Sequence, residues 1–351
     1  MTIPIRNLYY LFAYAWNLFP DGSSTPAGIE DCPDLKNLFA RLLVSGANRL
    51  IRRGIDRGYV AMTETTRAPR GRILMDEVLK TQSLRRGEVI CSFDELTPDV
   101  AHNQILKATA RLLARTEGMA PPLRHELRLL IQRLEAVSDV RLSRQAFRRV
   151  QLSRNTRQYL PLLRLCEFVF RNELPTEDGQ ASSFAEALQD ELAMSSIFEA
   201  FLRNFYAFEQ RTFSVKREIM RWRGKSLQPA DWGLMPVMET DLTLRSASRV
   251  IVMDAKFYKD PLARNQMGRR KHHASNLYQL LTYLAHAQDT AAGASVEGAL
   301  VYASAGEPFS MTYELRGHPV RLVALDLERP WRAIHEELLD LVGAGSEVRA
   351  A

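Results

Sequence analysis

The sequence predicts an α/β protein: a C-terminal half built as a mixed sheet flanked by helices, preceded by a mixed α+β N-terminal region. Three observations carry that expectation. A long helical segment over residues 185–210 opens the second half, and strands with two-residue alternation follow it. A further helix, two more strands and a last helix close the chain, whereas the first half sets a pair of strands before a largely helical block. A polar stretch over residues 173–183, with Pro175, Glu177, Asp178, Gly179 and Ser182, reads as a linker and divides the chain into domains 1–183 and 184–351.

At the start, Leu8, Leu11, Phe12, Ala15 and Phe19 recur at helical spacing. Arg6 comes early, Asn7, Tyr9, Tyr10, Tyr14 and Asn17 interrupt the apolar run, and no small-residue cleavage site follows. The segment therefore reads as a helix docked in the protein's own core, not as a signal peptide or membrane span, and the expected location is the cytoplasm. A loop rich in Gly, Ser and Pro (20–28) leads to a helix over residues 35–53. Strands over 57–65 and 87–93 are separated by a segment that begins with the basic, Gly-containing stretch 67–72. The helical block 100–172 is punctuated by Pro121 and Pro122 and ends in a crowd of arginines: Arg141, Arg144, Arg148, Arg149, Arg154 and Arg157. The spacing of Arg141, Arg144 and Arg148 places them on one helix face. Such a run is either a solvated basic face or a contact surface for DNA or an acidic partner.

Composition excludes several classes. With 351 residues, 46% hydrophobic and 25% charged, the chain is a globular protein with ample core, not a fibre or a disordered tail. The net charge of +6 is a mild excess that favours a phosphate-bearing partner without establishing one. Cys32, Cys91 and Cys166 are widely spaced and form no C-x-x-C, so they read as free thiols in a reducing compartment.

The chemistry concentrates in the second half. Along residues 238–244, Met238, Thr240, Leu242 and Leu244 alternate with Glu239, Asp241 and Thr243. A turn over 245–249 leads to a strand over 250–257, where Val250, Val252, Asp254 and Lys256 share one face and Ile251, Met253, Ala255 and Phe257 the other. Asp254 and Lys256 thus sit side by side, roughly 6 to 7 Å apart along the strand. If the two strands pair as a hairpin, Asp241 lies beside Asp254. Burying either charge unpaired costs on the order of several kcal/mol. A structural ion pair satisfies that demand. The functional alternative is a metal site, in which two carboxylates offer hard oxygen ligands to Mg²⁺ and Lys256 serves the reacting phosphodiester. On the next helix Gln279 and Tyr283 share a face, and on the long helix Glu199 stands among Ile197, Phe198, Phe201 and Leu202. A basic loop with Lys259, Arg264, Arg269, Arg270 and Lys271 follows the second strand and is a candidate to hold a DNA backbone. His272 and His273 are adjacent, point apart on regular structure and have no cysteine near in sequence, which argues against zinc.

Asp241, then Asp254-Ala255-Lys256, then Gln279-x-x-x-Tyr283 resembles the PD-(D/E)xK nuclease superfamily in its RecB-like form with a Q-x-x-x-Y helix. The surrounding words are similar to the McrC family, the nuclease subunit of McrBC-type modification-dependent restriction systems. They are Met238-Glu239-Thr240-Asp241-Leu242-Thr243-Leu244, Val252-Met253-Asp254-Ala255-Lys256-Phe257-Tyr258 and Asn276-Leu277-Tyr278-Gln279-Leu280-Leu281-Thr282-Tyr283. Ile3-Pro4-Ile5-Arg6-Asn7-Leu8-Tyr9-Tyr10 and Asp94-Glu95-Leu96-Thr97-Pro98-Asp99, with Asn103 beyond it, extend the similarity into the first half. The resemblance implies a PD-(D/E)xK nuclease domain and an endodeoxyribonuclease using one or two Mg²⁺ ions. Asp241 and Asp254 would be the metal ligands, Lys256 the catalytic lysine, Glu199 the helix glutamate, and Gln279 and Tyr283 the accessory pair. Thr240 departs from the pattern, standing where the superfamily name has proline. The resemblance also implies an AAA+ GTPase ring as partner, double-stranded DNA carrying a 5-methylcytosine-type modification as target, and an N-terminal region that docks into the ring. The motor itself is a different chain: Gly224-Lys225-Ser226 mimics the end of a P-loop, but Ile219 holds the place of its first glycine, so no nucleotide is expected here. The rival expectations are a stand-alone RecB-like nuclease in repair or phage defence, and a non-catalytic activator of the ring.

Overall fold

Helix α1 (Ile5–Ala15) is buried along nearly its whole length, packed on the helix of residues 191–209 and on the segment around Leu327–Trp331. The computed structural model describes residues 3–18, 32–173, 190–222, 224, 234–258, 261–264, 270–304 and 308–343. The chain divides into two units, residues 1–38 with 175–351 and residues 39–174. The division expected at residue 183 differs in one respect that matters: the N-terminal helix goes with the C-terminal unit. Asn7 donates from Nδ2 to the carbonyls of Leu327 and Arg329 at 2.7 Å each, and Tyr10 stacks on Trp331 with ring centroids 4.1 Å apart. The linker expected over residues 173–183 lies, beyond Glu173, outside the described residues.

The unit 39–174 begins within α2 (Leu35–Arg53). Strands β1 (Gly58–Thr66), β2 (Arg72–Ile73) and β3 (Val89–Thr97) form an antiparallel sheet in the order β1-β3-β2, with α3 (Met75–Thr81) between β2 and β3. Helices α4 (Ala101–Arg115), α5 (Pro121–Arg133), α6 (Arg144–Arg148) and α7 (Leu160–Glu173) complete it. Pro121 and Pro122 open α5, where a missing N–H removes no helical bond. Apolar side chains at helical spacing, among them Phe39, Leu43, Leu106, Leu127, Leu162 and Val169, fill the core. Arg141 is not on a helix face with Arg144 and Arg148. Ser143 caps α6 by accepting from the Ala146 N–H at 3.1 Å, so the helix starts after Arg141 and spans five residues.

The other unit continues with α8 (Glu191–Glu209), whose first turn is capped by Asp190 accepting from the Leu192 and Ala193 N–H groups. Then come β4 (Ser214–Lys216), β5 (Ile219–Met220), β6 (Met238–Glu239), β7 (Leu242–Arg245), β8 (Arg249–Phe257), β9 (Ala263–Arg264) and β10 (Arg270–Lys271). Helix α9 (Ala274–Thr290), strands β11 (Ser295–Ser304), β12 (Phe309–Leu315) and β13 (His318–Asp326), and α10 (Trp331–Val342) follow. Six strands make one mixed sheet in the order β12-β13-β11-β8-β7-β4. Strand β11 runs parallel to both β8 and β13, and the remaining pairs are antiparallel. The central strand β8 is buried on both faces, as its nearly continuous apolar run requires. Val250 and Val252 pack with Leu280, Tyr283 and Leu284 of α9. On the opposite face the Phe257 ring meets Phe198 of α8 at 6.2 Å. Gly298 on β11 lets α9 come close: a Cβ there would sit 2.9 Å from Leu284 Cδ1 and 3.0 Å from Leu280 Cδ2.

Residues 238–244 do not form one continuous strand. β6 pairs with β5 in a separate ribbon, the chain breaks at Thr240 and Asp241, and β7 then joins the main sheet. Thr240 is fully buried at the break; its N–H donates to the Glu218 carbonyl at 3.0 Å and its Oγ1 accepts from the Glu218 N–H at 3.1 Å. The residue standing in place of proline is therefore a hydrogen-bonded anchor. No helix among the described residues is long and apolar enough to cross a membrane. All three cysteines are buried, and Cys91 and Cys166 are free thiols.

Candidate active site

The β7–β8 hairpin pairs Leu242 with Met253, which carries Asp241 to the position facing Asp254. The Asp241 carboxylate turns across the hairpin and accepts from the Ala255 N–H at 2.7 Å. Asp254 has no exposed surface at all. Its Oδ2 meets the Lys256 ammonium at 2.7 Å, while its Oδ1 is buried with no hydrogen-bond partner. Lys256 also donates to Gln279 Oε1 at 3.3 Å, and Gln279 Nε2 reaches the Tyr283 hydroxyl at 3.0 Å. That hydroxyl donates in turn to the Glu239 carbonyl at 2.9 Å, tying α9 to the strand that leads into Asp241. The spacing of four residues on one helix face makes this relay possible.

Electrostatics follow from burial. Loss of solvent, and then the Asp241 charge, push the Asp254 carboxyl up to about 7 against the pull of Lys256. Burial raises Asp241 as well, although the Ala255 N–H and the Lys256 charge oppose it. Burial pulls the Lys256 ammonium down, yet the Asp254 charge outweighs this and holds its pKa above the ordinary value. Glu199 on α8 is raised by burial first and by Asp241 second, which places it within electrostatic reach of the pair. The Asp254–Lys256 ion pair therefore exists but does not satisfy the site, because one carboxylate oxygen stays without a donor.

A fully buried carboxylate with an orphaned oxygen, facing a partly buried one, offers hard oxygen donors that fit Mg²⁺, which keeps much of its coordination for water and substrate oxygens. Among the described residues no group of three or more His, Cys, Asp or Glu side chains gathers as a ligand cage. His272 meets the Tyr313 hydroxyl at 3.2 Å, whereas the His273 ring lies beside Tyr258, so the two point to different neighbours.

Asp241, Asp254, Lys256, Gln279 and Tyr283 are thus brought together, with Glu199 coupled to them through charge. Of the basic loop, Arg270 and Lys271 are exposed on β10, paired with β9, which holds the Arg264 backbone. Lys259 and Arg269 lie outside the described residues. Other side chains at the site were not singled out as candidates. Arg203 donates to the Asp241 carbonyl at 3.2 Å, and Arg217 meets Glu239 at 3.0 Å. Asn276 donates to the buried Tyr302 hydroxyl at 3.3 Å and accepts from Tyr258 at 3.5 Å. Helical spacing offered a signal for Arg203, four residues past Glu199, and for Asn276, three before Gln279. None existed for Arg217.

A mixed α/β sheet that sets two facing carboxylates, one of them fully buried, and a lysine on a central hairpin defines a class of proteins with an acidic, metal-compatible site. The family described as McrBC 5-methylcytosine restriction system component matches residues 6–303. The type IV methyl-directed restriction enzyme EcoKMcrBC of Escherichia coli (strain K12) is 31% identical over 342 residues, covering 97% of each chain. The chain belongs to this McrBC restriction-system family. In solved structures it is similar to a chain of the half-complex from the tetradecameric assembly of Thermococcus gammatolerans McrB AAA+ hexamers with bound McrC. That match has a TM-score of 0.52 and 17% identity over 97% of this chain and 76% of that one, and it concerns the fold.

Proposed function

We propose that this chain is the Mg²⁺-dependent endonuclease subunit of a modification-dependent restriction system and works with an AAA+ GTPase partner on double-stranded DNA. The observation that carries the reading is the buried Asp254 carboxylate, with one oxygen unpartnered, next to Asp241 and Lys256. The family supports the biological setting: the E. coli relative is named as a methyl-directed restriction enzyme, and the T. gammatolerans structure joins McrB AAA+ hexamers to McrC.

In this reading Asp241 and Asp254 hold Mg²⁺, which when bound neutralises phosphodiester charge and makes water a better nucleophile. The protein's own groups set the rest. Lys256 keeps its proton because Asp254 outweighs burial, so it presents a fixed positive charge where phosphate charge develops. Gln279 holds the lysine, and Tyr283 holds Gln279 against β6. Glu199, whose carboxyl burial and then Asp241 push above its ordinary pKa, is a further candidate to hold or pass a proton at the site. Arg270 and Lys271, with Lys259, Arg264 and Arg269, hold the DNA backbone beside it. Residues of the N-terminal region outside the nuclease sheet dock on the partner.

DNA cleavage with Mg²⁺ tests this, comparing wild type with Asp254→Ala and Lys256→Ala, each with and without a McrB-type AAA+ GTPase from the same source. The expected result is cleavage that needs the partner and is lost in both variants. Partner-independent cutting of unmodified DNA would instead favour a stand-alone nuclease. Restriction in cells that survives Asp254→Ala would leave only an activator.

A further inference from the structure

We propose that the unit 39–174 carries a DNA contact of its own, in which the arginines of residues 141–164 grip the phosphate backbone of a duplex. It rests on the reading of the chain as a protein that acts on DNA, but not on how or where the bond is cut. Residues 141–164 contain seven arginines and no lysine, aspartate or glutamate. Arg141, Arg144, Arg148, Arg149, Arg154 and Arg157 are all exposed, as is Arg164 on α7. Among the described residues none of these guanidinium groups has a hydrogen bond or ion pair, unlike Arg245 and Arg249, which the protein holds with carboxylates at 2.6 and 2.7 Å. Seven unneutralised charges on one short stretch repel each other, and a polyanion relieves that repulsion.

Clefts adjoin the stretch. One of about 330 Å³ is lined by Arg111, Arg115 and Arg141 above Leu112 and Phe170. Its single acid, Asp139, is already neutralised by Arg111 at 2.6 Å and Lys107 at 3.3 Å. A second cleft, of about 300 Å³, is lined by Arg141 and Arg149 with Ser143 and Gln145 and contains no acid. Both are positive recesses of a size to admit a phosphate group.

The surface chemistry favours DNA over a protein partner. A protein interface is centred on buried apolar and aromatic anchors. The exposed large hydrophobic residue of this stretch is Leu160, 39% exposed, and the other exposed positions are arginines interleaved with Gln145, Gln151, Ser153, Asn155 and Gln158. Arginine with amide and hydroxyl donors is the set that contacts phosphates without reading sequence.

The test is fluorescence anisotropy of the full-length chain on a labelled, unmodified 30-base-pair duplex in EDTA, across a salt series. Wild type is compared with the fourfold variant Arg141→Ala, Arg148→Ala, Arg149→Ala, Arg154→Ala and with its fourfold Arg→Lys counterpart. Loss of four phosphate contacts should weaken binding about tenfold or more at low salt and reduce the slope of log affinity against log salt by about 3 to 4. The lysine version should keep most of the slope. Alanine variants that bind with wild-type affinity and slope would overturn the proposal, as would a wild type with no affinity for the duplex at low salt. So would a fourfold variant that keeps DNA but no longer co-elutes with the AAA+ protein, because the surface would then belong to a protein partner.

Discussion

Replacing Asp254 with asparagine should stabilise the metal-free protein above neutral pH. Burial, and then the charge of Asp241, raise this carboxyl from 3.8 to about 7. A carboxyl raised in the folded state binds a proton that the unfolded chain has already released. Its contribution is therefore greatest at low pH, falls as pH rises from about 4 to about 7, and is fully lost above that window. At about 1.4 kcal/mol per pH unit, the cost of the charged form at pH 8 is bounded at about 4 kcal/mol. Asparagine has the shape of the protonated acid and escapes that cost. Lys256 loses its partner in the exchange, but its side chain is 14% exposed and keeps Gln279, so part of the gain survives. A net gain of about 2 to 4 kcal/mol corresponds to a rise of roughly 5 to 10 °C in Tm for a unit of this size. Thermal melts followed by circular dichroism in EDTA, at several pH values between 5 and 8.5, measure it. Adding Mg²⁺ should then raise the wild type alone, by about 2.7 kcal/mol at a hundred times its Kd. An Asp254→Asn variant that melts at or below wild type at pH 8 in EDTA would refute the argument from buried charge. An equal Mg²⁺ shift in both proteins would refute the metal assignment.

Three smaller perturbations probe the parts that hold the site. Tyr283→Phe removes the hydroxyl that bridges Gln279 and the Glu239 carbonyl, and should cost about 1 kcal/mol in urea unfolding while lowering cleavage through a less ordered Lys256. Asn7→Ala leaves the Leu327 and Arg329 carbonyls without a donor and should cost about 1 to 3 kcal/mol, read as a lower urea midpoint. Gly298→Ala puts a methyl group against Leu280 and Leu284 and should cost about 1 to 3 kcal/mol by overpacking α9 against β11; an unchanged Tm would show that the two leucine ends move aside freely.

Much of the site was legible because it depends on local periods. Two-residue alternation put Asp254 and Lys256 on one strand face, and the following strand order made a hairpin with Asp241 the economical arrangement. A spacing of four put Gln279 and Tyr283 on one helix face, where the structure links them at 3.0 Å. The helix over residues 35–53 emerged with those bounds for the same reason. What local periods do not encode is which distant surface an element meets. The aromatic helix α1 announced its apolar face in the sequence, but its partners at Leu327, Arg329 and Trp331 lie over 300 residues away, so only packing placed it in the C-terminal unit. The break at Thr240 depends on hydrogen bonds exchanged with Glu218, and the end of the α6 face short of Arg141 on a cap at Ser143. Arg217 came to the site because β5 and β6 pair, a contact with no sequence period. The sequence by itself determined the residue types, their faces and the strand that carries the acids. The tertiary structure decided that Asp254 is wholly buried with an unpartnered oxygen, because desolvation is a property of everything packed around a group and not of its neighbours in the chain.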